Sequence, residues 1–237
     1  MTKTKPVETP VIGFEEAKAI LKVAYLLAAT DGDICEQEQA KFRALMRQLF
    51  GDRYASPEVM AYLVEVSEDA RKLIAFRAFY PDDKEIVKAF SAIASPSVAR
   101  IIADVRVVRC AFAIWISICC ADNDYSRVER AAVKELQQLL NPGNALNMIK
   151  SVTAVGASVL GFSPVVKALV DGYASKKKGA NFGVITDRFL VDVEKRVKSI
   201  GELHAKMESA ADPDVRQNYK DMYDFEVENL TEFLTSK

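Results

Sequence analysis

The feature that most limits the fold is a segment that occurs twice. Residues 29–38 (ATDGDICEQE) align with residues 120–129 (CADNDYSRVE), and every aligned pair is 91 residues apart. The flanks align without a gap, so that an apolar helix, an acidic turn and an amphipathic helix are predicted in each copy. Two copies of one helix-turn-helix unit predict a pseudo-symmetric helical bundle over residues 12–150.

The rest of the chain is also predicted to be helical, which makes the fold class all-α. Apolar residues recur at spacings of three and four, and few stretches alternate with a period of two. The residues 98–120 form a long apolar run. We expect this run to be the central and most buried helix, with Trp115 inside, and Pro96 to separate it from a helix over residues 85–94.

Two further regions follow the bundle. Residues 151–180 combine a small apolar segment with a lysine-rich hinge at residues 176–178, and residues 181–237 carry two amphipathic stripes that predict a helical hairpin. The uncharged run over residues 151–166 is shorter than the roughly 18 to 20 residues that span a bilayer, which favours a buried helix. A peripheral membrane contact, made by this run and the lysines, is the alternative.

Composition excludes several functions. With 32 basic and 33 acidic residues the net charge is −1, so no nucleic-acid partner is predicted. The single histidine, His204, is expected at the surface or in packing, and its isolation argues against most zinc enzymes and histidine-dependent hydrolases. We predict no catalytic residue and no enzyme activity. The four cysteines have no ligand spacing, which is typical of buried thiols in a reducing cytoplasm.

The duplicated turn resembles that of the TerB-like family, which is named for tellurite resistance and also occurs as a domain of membrane-anchored DnaJ-type co-chaperones. In that family a helix ends in an Ala-Asp-Gly-like turn, and a glutamate opens the next helix. Here Thr30 replaces the alanine and Asn123 the second glycine, although asparagine tolerates a left-handed turn. Over residues 12–150, the resemblance implies a helical stress-response module with a protein partner and a divalent metal.

The acids of the two turns are the candidate site. Carboxylates spaced in this way offer hard oxygen ligands to Ca²⁺, Mg²⁺ or Mn²⁺. They are Asp31, Asp33 and Glu38 in the first copy, and Asp122, Asp124 and Glu129 in the second. Six carboxylates on one ion would leave a large uncompensated charge, so we expect one ion for each half.

A structural interpretation of the same acids remains open. Gly32 and Asn123 suit the left-handed residue that ends a helix, and acids near the next N-terminus cap it without any ion. On this interpretation the chain is a structural or assembly protein, whose C-terminal hairpin forms a homo-oligomer or docks a partner.

Overall fold

The computed structural model describes residues 12–101, 105–140 and 185–235, and these residues are helical without a strand. The predicted all-α class is confirmed. The predicted segment at residues 151–180 and the last ten residues of the predicted bundle, 141–150, lie outside the described residues. The helices are α1 (Phe14–Ala28), α2 (Glu36–Phe50), α3 (Pro57–Phe79), α4 (Asp83–Ile101), α5 (Val105–Cys119), α6 (Arg127–Leu139), α7 (Asp187–Ser209) and α8 (Pro213–Thr235), with short 3-10 turns at Ala29–Asp31 and Gly51–Arg53.

Two helices, α1 and α5, share the centre of the molecule. Helix α1 packs against all of α2 to α6, and α5 packs against α1, α2, α6, α7 and α8. Trp115 is fully buried, as predicted. Its indole Nε1 donates a hydrogen bond of 2.9 Å to the carbonyl oxygen of Ile20, which joins the two central helices through a buried polar contact.

The predicted helix over residues 98–120 begins in the wrong place. Residues up to Ile101 belong to α4, which continues through Pro96 instead of ending there. An internal proline costs a helix about 3 kcal/mol, because it removes one hydrogen bond and crowds the preceding turn. The buried face of α4 offsets this cost, since it continues on both sides of the proline through Ile86, Phe90, Ala94, Val98 and Ile101.

The predicted C-terminal hairpin is present as α7 and α8, which pack along each other. Asp212 caps α8, since its Oδ1 accepts a hydrogen bond of 2.8 Å from the amide of Asp214. Phe189 at the start of α7 is buried and stacks on Phe233 near the end of α8, with 5.4 Å between ring centroids. His204 is exposed beside Tyr223, as predicted.

One face of α8 differs from the prediction. The apolar stripe predicted for it runs through Val215, Tyr219, Met222, either Phe225 or Glu226, Leu230 and Phe233. Val215, Met222 and Phe225 are exposed, whereas Tyr219, Tyr223, Glu226 and Leu230 are partly covered. The contact with α7 therefore follows a face rotated away from the most apolar one. None of the helices in the described ranges is both long enough and apolar enough to cross a membrane.

Replacing the central tryptophan tests the packing of α1 on α5. In Trp115→Phe the indole hydrogen bond is lost and a void remains, so we expect the free energy of unfolding to fall by about 2 to 4 kcal/mol. Urea denaturation followed by circular dichroism measures this change. The matched control Phe225→Ala, at an exposed position, should change it by less than about 0.5 kcal/mol. Equal losses in the two variants would contradict the assigned core.

Candidate functional site

The first acidic turn closes around a left-handed glycine. After the 3-10 turn, Gly32 has φ 106°, and its amide donates to the carbonyl oxygen of Ala29 over 3.3 Å. The Asp31 Oδ1 accepts from the amide of Asp33 over 3.2 Å, and the Asp33 Oδ1 accepts from the amide of Ile34 over 2.8 Å. Both aspartates therefore stabilise the backbone of this turn.

The second acidic turn closes in the same way at the aligned positions. Asn123 has φ 69° and takes the place of the glycine, as the sequence predicted. Its amide donates to the carbonyl oxygen of Cys120 over 3.2 Å. The Asp122 Oδ1 accepts from the amide of Asp124 over 2.9 Å, which matches the contact between Asp31 and Asp33.

The glutamate that follows each turn completes a capping box. Glu38 accepts from the amide of Cys35 over 2.9 Å, and Glu129 accepts from the amide of Ser126 over 2.7 Å. In return the Cys35 Sγ and the Ser126 Oγ accept from the amides of the glutamates. Two otherwise unpaired backbone amides at the start of each helix are satisfied in this way.

The two glutamates are unusually buried for carboxylates. Glu38 is 4% exposed and Glu129 is 1% exposed. Burial raises the pKa of Glu38 to about 7, because loss of hydration disfavours the charged form, although the hydrogen bonds of the capping box oppose this rise. Burial raises the pKa of Glu129 to about 7 in the same way. Near neutral pH each glutamate is therefore present in both its protonated and its ionised form.

The acids of the two turns also interact with each other. Although Asp31 remains solvent-exposed, neighbouring protein atoms desolvate its carboxylate and raise its pKa, and the negative charge of Asp122 raises it further. The charges of Asp31 and Asp122 both add to the rise in the pKa of Glu38, and the charge of Asp31 adds to that of Glu129. Acids 91 residues apart in the sequence thus form one electrostatic cluster, which we call the carboxylate cluster: Asp31, Asp122, Glu38 and Glu129.

A basic side chain, that of Arg77, opposes part of this negative charge. The positive charge of Arg77 on α3 lowers the pKa of Asp31, against the larger effects that raise it. The same guanidinium is engaged by Asp83, with 2.8 Å between the Arg77 Nη1 and the Asp83 Oδ1. The sequence does not single out Arg77, since it lies 46 residues beyond Asp31 on another helix.

A buried thiol completes the surroundings of Glu129. The Cys119 side chain is fully buried beside the Glu129 carboxylate and opposes the rise in its pKa. Burial, reinforced by the charge of Glu129, raises the pKa of the Cys119 thiol well above its usual value. The raised pKa keeps this thiol protonated at neutral pH. The expected buried cysteine is therefore found beside the site.

The second turn is connected to the hairpin by an arginine. The Arg130 Nε donates to the carbonyl oxygen of Tyr125 over 3.1 Å, and its guanidinium also lies over the ring of Tyr125. Two further nitrogens of the same group donate to the two oxygens of Glu194 on α7, over 2.6 and 2.8 Å. Bidentate pairs of this kind fix direction as well as distance. The first copy has Gln39 at the aligned position, where its Nε2 donates to the carbonyl oxygen of Ile34.

The six predicted ligands thus divide into two groups. Asp31, Asp122, Glu38 and Glu129 share one cluster, while Asp33 caps the first turn and Asp124 is exposed beside the second. Within the ranges that the structure describes, no three His, Cys, Asp or Glu side chains are arranged to hold a metal ion.

Comparison with protein-family models, with curated proteins and with solved structures finds no match to this chain.

The buried glutamates predict a pH dependence of stability. The folded chain holds these protons up to about pH 7, whereas an ordinary glutamate releases them near 4.5. The stabilisation from their protonation is therefore fully present below pH 4.5 and is lost as the pH rises through about 7. We expect the free energy of unfolding to fall by on the order of a few kcal/mol across this window.

The variant Glu38→Gln/Glu129→Gln tests this assignment by urea denaturation at a series of pH values. Glutamine still completes a capping box but does not titrate. The variant should lose most of the slope between about pH 5 and pH 8. Asp69 and Glu194 have lowered pKa values through their pairs with Lys22 and Arg130, so their effect falls at more acidic pH. An unchanged slope in the variant would contradict the burial of the two glutamates.

Proposed function

We propose that this protein is a non-enzymatic, TerB-like interaction module of the stress response, and that it binds a divalent cation at the carboxylate cluster. The observation that carries the proposal is the electrostatic coupling of Asp31 and Asp122 with the buried Glu38 and Glu129. Mutually repelling carboxylates destabilise a folded chain unless protons or a cation compensate them. A cation that binds the folded state would relieve this repulsion.

We also propose the pseudo-symmetric arrangement of the two helix-turn-helix units. It is supported by α1 and α5, whose last residues are 91 residues apart, and by α2 and α6, whose first residues are also 91 residues apart. The same separation of 91 residues along the sequence relates the left-handed residues, the aspartate contacts and the capping boxes of the two units. A common origin of the two units would account for all of these correspondences at once.

The chemistry of the donors fits Ca²⁺, Mg²⁺ or Mn²⁺. The cluster supplies carboxylate oxygens alone, and these hard ligands suit hard cations. The nearby Cys119 thiol is held in its protonated form, so a thiolate-rich zinc site is disfavoured. When bound, such an ion would supply positive charge at the turn, and water would complete its coordination shell.

The coupling between the turns revises the expectation of one ion for each half. Because Asp31 and Asp122 influence the same glutamates, a single site formed by both turns is better supported than two separate ones. Protonation of Glu38 and Glu129 near neutral pH also reduces the uncompensated charge that argued against a shared ion. Protons and the cation would then compete, and ion binding should strengthen as the pH rises.

We propose that the hairpin of α7 and α8 is the surface that binds a protein partner. Arg130 connects the second turn directly to Glu194 on α7, so a change at the turn would act on the hairpin. The apolar side chains of Met222 and Phe225 are exposed on α8, where a partner could cover them.

None of the four cysteines forms a disulfide, which supports the proposed location in a reducing cytoplasm.

The variant Asp31→Asn/Asp122→Asn tests cation binding. Asparagine keeps the size of the side chain and its carbonyl oxygen, so the turns should survive with a stability change of no more than about 1 kcal/mol. The parent should show a higher melting temperature in millimolar Ca²⁺, Mg²⁺ or Mn²⁺ than in chelator, because a ligand of the folded state alone stabilises it. The variant should lose this rise.

A matched control replaces two acids outside the cluster. Asp52→Asn/Asp224→Asn removes the same charge at exposed positions, so it should keep the full ion-dependent rise in melting temperature. If the control also loses the rise, the effect is general screening of negative charge. If no ion moves the melting temperature of the parent at about pH 8, where both glutamates are ionised, the cation proposal is wrong.

The second candidate is a structural or assembly protein with no ion. It is favoured by the complete capping boxes at Cys35 and Ser126, because each acidic turn is satisfied by its own backbone. On this account α8, with its exposed apolar residues, is the surface for a partner or for homo-oligomers. A melting temperature that responds to pH but not to divalent ions would support this candidate over the first.

A further inference from the structure

The outer face of α3 is apolar where a surface helix is usually polar. Met60, Val64 and Phe79 are 56%, 60% and 81% exposed. Together with Tyr80, which follows the helix, they make up four of the nine large hydrophobic residues that are exposed in the described ranges. Three of the nine lie on α3 itself, and a separate group of four lies on α8: Val215, Met222, Phe225 and Val227. Scattered single exposed residues would need no explanation, whereas groups on one helix do.

This apolar face lies directly opposite the buried one. Val59, Val66 and Leu73 on α3 are fully buried in the core. With about 100° between successive residues of an α-helix, the opposite side carries a stripe that we call the α3 stripe. It runs along almost the whole helix and consists of Met60, Ala61, Val64, Glu68, Arg71, Ala75, Ala78 and Phe79.

The only charges on the α3 stripe lie at its middle, and they are opposite in sign. Glu68 and Arg71 are both exposed, and neither forms an ion pair with another described residue. Their neighbours differ, since Glu65 and Asp69 both bind Lys22, with oxygen-to-nitrogen distances of 2.6 and 2.7 Å. The stripe therefore has two apolar ends and, at its centre, an acid and a base without an ion pair to a described residue, although the charge of Glu68 also acts on Lys72, four residues along the helix.

We propose that the α3 stripe is a self-association surface, on which a second copy of this chain packs its own α3 in the antiparallel direction. A two-fold axis midway between Glu68 and Arg71 places each of these residues opposite the other in the second copy. The same axis places Val64 opposite Ala75, Ala61 opposite Ala78 and Met60 opposite Phe79. Each large side chain at one end thus meets an apolar residue, and both charges gain a partner.

The charge pattern selects this occupant and this direction. A parallel pair of α3 helices would place Glu68 against Glu68 and Arg71 against Arg71, and such like-charge contacts are unfavourable. A strongly basic or acidic partner would leave one of the two charges unmatched. The isologous, antiparallel arrangement satisfies both at once, as two-fold interfaces require. Since a single pair of helices buries little surface, the association should be weak and dependent on concentration.

Sedimentation velocity of the full chain tests this proposal, over roughly 1 to 500 µM protein as befits a small interface. The parent should show a reversible monomer–dimer equilibrium, equally in chelator and in divalent ion, because the α3 stripe is separate from the carboxylate cluster. Val64→Asp should weaken dimerisation at least about tenfold, since it places a charge in the apolar contact. Circular dichroism should be unchanged, because Val64 is already exposed.

Charge exchange tests the register. Glu68→Arg and Arg71→Glu should each weaken the dimer, because each creates like-charge contacts across the two-fold axis. The double variant Glu68→Arg/Arg71→Glu should restore it towards the affinity of the parent. Weakened dimers in both single variants without recovery in the double variant would overturn the antiparallel arrangement.

A control on the hairpin separates the two exposed apolar surfaces. Met222→Asp places the same charge at a similarly exposed residue of α8 and should leave the dimer unchanged. If Met222→Asp abolishes the dimer while Val64→Asp does not, the hairpin is the interface and the proposal is wrong. A parent that stays monomeric over the whole concentration range also overturns it.

Discussion

The packing of α1 against α5 is the constraint on which the rest of this structure depends. The two helices bury one another with small and branched apolar residues, and the indole of Trp115 fixes their contact through the carbonyl oxygen of Ile20. Each of them ends in an acidic turn, and each turn leads into a capped helix. Because the two helices lie side by side, the two turns come within electrostatic reach, and acids that are far apart in the sequence share one site.

That site is held together by local hydrogen bonds and opposed by its own charge. The capping boxes require Glu38 and Glu129 to lie against the first turns of α2 and α6, where the core removes their hydration. A buried carboxylate is costly unless it is protonated, hydrogen-bonded or compensated by a cation. The cluster has hydrogen bonds, and only part of its charge is opposed by Arg77. This imbalance is the physical basis for proposing that protons and a divalent ion compete there. The Arg130–Glu194 pair gives such a competition a route to the hairpin.

The two exposed apolar surfaces, the α3 stripe and the outer side of α8, differ in the charges that they carry. The α3 stripe carries one acid and one base at its centre, so it complements a reversed copy of itself. By contrast, α8 exposes Met222 and Phe225 among residues that are mainly acidic, with five exposed acids and two exposed bases, Arg216 and Lys220. The proposed occupants of the two surfaces differ accordingly, a second copy of this chain on α3 and a different protein on α8. Assembly and partner binding could then occur together, because they use separate helices.

Much of the local structure could be predicted from the sequence, because it depends on neighbouring residues. The left-handed residues at Gly32 and Asn123, the capping box at Ser126 and the start of α8 at Asp212 each arise from a few adjacent side chains. The burial of Trp115 also follows from local hydrophobicity.

Tertiary packing decided the rest. It carried α4 through Pro96, because a continuous buried face outweighs one lost hydrogen bond, and it turned Met222 and Phe225 to the surface, because α8 contacts α7 along a different side. It also joined the two turns and raised the pKa values of Glu38 and Glu129, since desolvation and the charge of a distant aspartate depend on which helices meet in space, and spacing along the chain does not encode that.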